Sequence, residues 1–246
     1  MRIAILIFVF LFQVVISAQN NDAKIFYSKW GKSYPSTYKK AINDKVGEIS
    51  PSEEMGDQEL ITNQKFESLS TYEKFLFCVV YPEAFYQNCA VPMDINGTIY
   101  QLPEASSKKL VARLPSDENE NNLSERQRAF LDNERNAVLG FIKTESDKSG
   151  FMGNRFKSLV VEMNATELIP WMIEHFNKFT KKEDGYILTT LFLLLEKNNY
   201  KEFMSSLSYN CLYGEQSLSK GYIPFNSANI DLTCKRAMGL YNLKHK

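Results

Sequence analysis

Apolar positions along this chain recur every three or four residues far more often than every second one, a periodicity that predicts a mainly helical, all-α protein. Ser70-Thr71-Tyr72-Glu73 has the form of a capping box, in which hydroxyl and carboxylate satisfy free amides of a first turn; Phe75, Leu76, Val79 and Val80 follow at helical spacing, and Pro82 marks the end. Ser124 and Gln127 repeat the device ahead of Phe130, Leu131, Ala137, Val138, Phe141 and Ile142, which predict a buried stripe about three turns long. Met152, Phe156, Leu159, Val160 and Met163 form another stripe. Asn164 with Glu167 reads as a further capping pair, restarting the chain towards Leu168, Met172, Phe176 and Phe179, with Pro170 in the first turn, where a missing amide costs little.

Residues Tyr186 to Leu195, YILTTLFLLL, are apolar nearly all round, which suits a buried helix or a buried strand; Asp184 before them and Glu196-Lys197 after them favour helix. Tyr200, Phe203, Met204 and Leu207 continue as one amphipathic segment that Gly214 stops. Few segments alternate cleanly, Thr98 to Leu102 being the best short β candidate.

The N-terminus departs from this pattern. In MRIAILIFVFLFQVVISA, Arg2 precedes a continuous apolar run that closes on Ser17 and Ala18, the form of a secretory signal peptide cleaved after Ala18. The run is shorter than the ~20 residues that span a bilayer as a helix, and no later segment comes closer, so the sequence predicts a secreted, extracellular chain without a membrane span. Pro115 to Asn122, PSDENENN, contains no apolar residue after the proline and no basic one. Residues 115–123 are therefore expected to be an exposed acidic loop, open to proteases, between helical halves 19–114 and 124–246 of one compact domain.

Lysine and arginine number 29 and so do aspartate and glutamate; losing Arg2 with the leader makes the remainder one unit acidic, which argues against nucleic acid as a partner. The four cysteines, Cys78, Cys89, Cys211 and Cys234, read in an exported chain as two disulfides. Pairing Cys78 with Cys89 and Cys211 with Cys234 closes the shortest loops, while the other pairings tie one half to the other. Without a C-x-x-C pair, and with two histidines in the chain, no structural metal site is expected. Asn96, Asn122 and Asn164 open Asn-x-Ser/Thr triplets and are candidate glycan acceptors.

Nucleophilic hydrolysis requires a base, and His175 is the one histidine away from the C-terminus; it borders the stripe that contains Met172, where a histidine at the rim of a core is the ordinary explanation. Glu53-Glu54-Asp57, Asp132 with Glu134, and Glu183-Asp184 could supply acid and base, but all lie in polar surroundings. Asp117, Asn119 and Asn121 imitate the start of a calcium loop, which fails at Asn122, where glycine belongs, and at Arg128, where glutamate belongs. Neither G-x-S-x-G, H-E-x-x-H nor a glycine-rich phosphate loop occurs, so no catalytic residue, metal or cofactor is assigned.

Between Lys24 and Lys40 the chain interleaves lysines with aromatic rings and carries no acid. Lys29, Trp30, Lys32 and Tyr34 could grip an anionic, ring-bearing ligand; alternatively Phe26, Trp30 and Tyr34, spaced by four, are the inward side of a helix. The sequence thus predicts a secreted, non-enzymatic binding protein whose partner is an extracellular protein, an anionic glycan or a lipid. The abundance of Phe and Tyr raises a carrier of a small apolar ligand as a second possibility, and His175 or a carboxylate pair raises a secreted hydrolase as a third.

Overall fold

A computed structural model describes residues 21–50, 56–85, 104–115, 121–214 and 221–245, and it is mainly helical. Helix α1 occupies residues 21–30 and turns Ala23, Phe26 and Trp30 inward. Helix α2, Thr37–Val46, buries Tyr38 and Ile42. A short α3, Asn63–Glu67, leads to α4, Thr71–Val80, whose capping box closes on both sides: Ser70 Oγ accepts from the Glu73 amide at 3.3 Å and Glu73 Oε2 from the Ser70 amide at 2.9 Å. Six consecutive residues of α4, Phe75 to Val80, are buried, so this helix runs through the core rather than along it.

The stripe expected from Phe130 to Ile142 is carried by two helices instead of one. Glu134, with φ −102° and ψ 22°, interrupts the ladder between α5, Glu125–Asn133, and α6, Arg135–Ser149. Gly150 then ends α6 in the left-handed region (φ 65°), open to glycine at no steric cost. After α7, Asn154–Glu162, the expected Asn164 cap is not formed. Asn164 is itself left-handed (φ 48°) and exchanges side-chain hydrogen bonds with Asn198, while a 3₁₀ turn, Thr166–Leu168, starts α8, Ile169–Lys178. Helix α9, Gly185–Lys197, is capped by Asp184, which accepts from the Tyr186 amide at 3.1 Å. The predicted segment from Tyr200 to Gly214 divides into α10, Lys201–Met204, and α11, Leu207–Tyr213, and Leu207 points into solvent. Helix α12, Ser227–Lys244, completes the order.

Short antiparallel strands tie the loops: β1 (Gly56–Asp57), β2 (Ala84–Phe85) and β4 (Asn121–Asn122) in the order β1-β2-β4, and β3 (Lys109–Val111) with β5 (Tyr222–Pro224), Leu110 opposite Ile223. The β candidate Thr98–Leu102 and the centre of the acidic stretch, 116–120, lie outside the described residues. The end of that stretch is no loop, because β4 pairs with β2 and Leu123 is buried.

Helix α9 forms the spine, packed against α7, α12 and β3, and one apolar cluster unites residues from both sides of the 115–123 segment, from Tyr38 and Phe75 to Phe192 and Leu240. A smaller cluster holds Phe26, Trp30, Ala105, Val111 and Tyr186. No helix among the described residues is long and apolar enough to cross a membrane.

The expected disulfides are not found among the described residues. Cys78, Cys211 and Cys234 are free thiols, and Cys89 lies outside those residues. Cys78 is sealed in the core by α4, Cys211 on α11 faces solvent, and Cys234 on α12 is drawn against the core, where burial pushes its thiol up to about 11. An outward and an inward sulfur on different helices do not meet.

Candidate functional site: a sealed polar cluster beneath the N-terminal helix

Helix α7 packs against α9, its first amides bond the chain that follows α1, and its buried residues include Lys157. Lys157 is 0% exposed and its Nζ donates to Asp184 Oδ2 at 2.9 Å, Asp184 being 0% exposed as well. Nζ also donates to Asn154 Oδ1 at 3.2 Å and lies 5.6 Å from the centres of both the Phe151 and Tyr186 rings, so carboxylate, amide and ring faces all contribute to solvating the ammonium. Burial pushes the lysine down and the aspartate up from their ordinary values, and their mutual attraction opposes both displacements.

The N-terminal segment roofs this pair. Phe26 meets Tyr186 edge to face at 5.3 Å, the Asn154 amide donates to the Lys32 carbonyl at 2.9 Å, and the Arg155 amide donates to the Ser33 carbonyl at 3.0 Å. Gly153 permits this approach: a Cβ there would stand 2.2 Å from the Ser33 carbonyl oxygen.

On the outer side of the cluster, His175 of α8 places Nδ1 3.0 Å from Asp147 Oδ1 at the end of α6. A carboxylate only accepts, so Nδ1 carries the proton and, in the neutral ring, Nε2 is left as a lone pair. The imidazole is 1% exposed and lies between the Trp171 and Phe179 rings, at 5.2 and 4.8 Å. Burial holds its pKa below the ordinary value despite Asp147, so the neutral form prevails at neutral pH. Ser146 is buried beside Asp147. Ser146 Oγ, Asn154 Nδ2 and His175 Nε2 have no hydrogen-bond partner among the described residues.

The residues expected from sequence to bind a ligand are split by this arrangement. Trp30 and Phe26 are buried on the inward side of α1, so Trp30 offers no open ring; Tyr34 lies past the end of that helix, half-buried against the core. Lys29 lies over the Trp30 ring at 4.8 Å and pairs with Glu183, whereas Lys32 is exposed. Among the candidate carboxylates, Asp57 accepts from the Glu125 amide at 2.9 Å, Asp132 and Glu134 are exposed, and Asp184 is held by Lys157; Glu53 and Glu54 lie outside the described residues. Arg128, the misfit of the calcium-loop pattern, pairs with Glu162 at 3.1 Å. Of the glycan acceptors, Asn96 lies outside the described residues, Asn122 sits in β4, and the Asn164 amide is engaged with Asn198.

Sequence reasoning passed over Lys157, Asn154 and Asp147. One signal was present: Lys157 follows Phe156 and precedes Leu159 within a stripe that leaves a polar residue little room to face water. Among the described residues no group of three or more His, Cys, Asp or Glu side chains could hold a metal ion. No protein-family model, no curated protein and no solved structure matches this chain.

Proposed function

We propose that the chain is an exported, non-enzymatic binding protein that holds an anionic extracellular ligand on the solvent side of its N-terminal segment. The observation that supports this reading is the two-sidedness of residues 21–40. Ala23, Phe26 and Trp30 seal the cluster beneath, while Lys24, Lys32, Lys39 and Lys40 are exposed together with Ile25 and Tyr27, at 58% and 40%. Cations beside apolar surface suit a sulfated or carboxylated glycan, whose charges the ammonium groups neutralise. Export itself rests on the leader, since free thiols at Cys78, Cys211 and Cys234 add nothing to it.

The test is retention on a sulfated-polysaccharide column. Replacing Lys24, Lys32, Lys39 and Lys40 together by Gln should lower the eluting salt well below that of the wild type. The same change at the exposed Lys178, Lys201, Lys235 and Lys244 should lower it much less. Equal losses from the two sets would reject the site.

One observation favours a hydrolytic reading, the 3.0 Å contact that orients His175 against Asp147. It ranks second because the imidazole is enclosed and no nucleophile bonds to Nε2. Turnover of a panel of chromogenic esters that His175→Gln abolishes would reverse the ranking. The carrier reading draws no support from the apolar helix faces, which close on one another in the core.

A further inference from the structure

Asn154, Lys157 and Asp184 bring a carboxamide, an amine and a carboxyl into one enclosed contact, the three groups from which two side chains can be joined by an amide bond. Lys157 Nζ lies 2.9 Å from Asp184 Oδ2 and 3.2 Å from Asn154 Oδ1, so the nitrogen already rests against the carboxamide, whose carbon is one bond beyond that oxygen. All three side chains are closed off: Asn154 is 4% exposed and the other two 0%. Among the described residues nothing bonds Asn154 Nδ2. A buried donor is rarely left unmade, but a nitrogen that departs needs no partner. The two oxygens of Asp184 have separate tasks. Oδ1 accepts from the Tyr186 amide at 3.1 Å and caps α9, while Oδ2 faces the ammonium and can take a proton from it.

An amine must shed its proton before it can attack a carbonyl, and a desolvated lysine beside a base does so more readily than one in water. Of the two carbonyl carbons in reach, that of ionised Asp184 resists attack, whereas the Asn154 carboxamide is neutral. We propose that Lys157 and Asn154 are a modification site, joined by a side-chain amide bond that Asp184 promotes by carrying protons. Asp184 Oδ2 first takes a proton from Nζ. The Nζ lone pair then bonds to the Asn154 carbonyl carbon while the π pair moves onto Oδ1. Both nitrogens now stand on one carbon, so the carboxyl that meets Nζ reaches Nδ2 as well; it gives its proton to Nδ2 and takes another from Nζ. The carbonyl re-forms, the bond from carbon to Nδ2 breaks, and ammonia leaves. Nothing is oxidised or reduced. The product, an amide beside a neutral acid, leaves no charge in the core, where charges are costly. Proximity of the reacting groups supplies the rate, and exclusion of solvent keeps hydrolysis from competing. The bond follows folding, so the charged pair still governs the newly folded chain. The site is independent of the ligand surface on the N-terminal segment.

The test is peptide mapping of the full-length protein, held folded near neutral pH for several days and denatured before digestion. Trypsin cuts after Arg155 and after a free Lys157. The expected result is a branched peptide in which residues 149–155 are joined to 156–178, lighter by one ammonia than the two together, with fragment ions placing the link between Asn154 and Lys157. The same chain kept in urea throughout should lack it. Asp184→Asn, checked for folding by circular dichroism, should lose it. The wild-type map decides on its own, whatever the stability of the variant: complete cleavage after Lys157 in the folded protein, or a link from Lys157 to Asp184 with loss of water, would overturn the proposal. A branched peptide of undiminished yield in folded Asp184→Asn would overturn the part given to Asp184.

Discussion

Lys157 and Asp184 show how costly a single buried charge becomes when its partner is lost. The pair is fully enclosed and satisfied by Asn154 and the Tyr186 amide, so its net contribution is small compared with the penalty of leaving either member alone. Lys157→Met should therefore lower the unfolding free energy by about 3–5 kcal/mol, read by urea denaturation. Asp184→Asn keeps an oxygen at the cap of α9 while removing the charge, so the Lys157→Met/Asp184→Asn protein should regain more than half of that loss. Simple addition of the two single costs would show that the charges do not act as a pair. Lys157 was hidden in the sequence because a lysine next to an apolar stripe ordinarily reaches water, whereas here its ammonium is met by Asp184 and by the Phe151 and Tyr186 rings, neighbours that only the tertiary fold brings to it.

Helix ends that are fixed by their own residues were legible in sequence; those set by distant contacts were not. The capping boxes of α4 and α5 form as written because a hydroxyl and a carboxylate or amide three residues apart need no help from elsewhere. The break at Glu134 and the left-handed Asn164 depend on tertiary partners: Arg135 bonds Glu167 at 2.7 Å and the Met163 carbonyl at 2.8 Å, and Asn198 holds Asn164. The α4 cap also carries a pH signature. Lys45, followed by the amide and hydroxyl of Ser70, holds the Glu73 carboxyl down to about 2 from its ordinary 4.5. The native chain binds fewer protons there than the unfolded chain across that window, so this contribution is complete above the ordinary value and is lost as the pH falls towards the native one. Glu73→Gln keeps the box and removes the charge; it should cost about 0.3–1 kcal/mol at neutral pH, with the difference from wild type shrinking towards zero near pH 2. Urea midpoints at both pH values decide it, and a difference that does not change with pH would assign the effect to packing. A second expectation concerns α1, whose apolar grip comes from Phe26 and Trp30 on the smaller cluster. Trp30→Ala should cost about 3–5 kcal/mol and speed hydrogen exchange at the Asn154 and Arg155 amides, which donate to the Lys32 and Ser33 carbonyls, ahead of amides in α9.

At the scale of the molecule, the cysteines ask what holds the fold together. An even set of thiols in a chain expected to be exported predicts staples, yet α9 is surrounded by enough apolar surface that a chain of this length needs none. If packing alone stabilises the folded state, the three free sulfurs must differ in reactivity by their surroundings. Cys211 faces solvent and should react first with a thiol reagent; Cys234, whose thiol burial pushes up to about 11, should follow slowly; Cys78, sealed in the core and pushed up further, should react only on unfolding. Mapping the modified peptides over time gives the order directly. Thermal unfolding provides an independent check. Loss of a native disulfide typically costs about 2–5 kcal/mol. In a protein of this size that corresponds to a fall in Tm of about 4–20 °C. The folded chain should therefore show the same Tm with and without a reductant. A drop of several degrees, together with protection of Cys211 and Cys234 from the reagent, would mean that the oxidised chain joins those sulfurs and that α11 and α12 move together to do so.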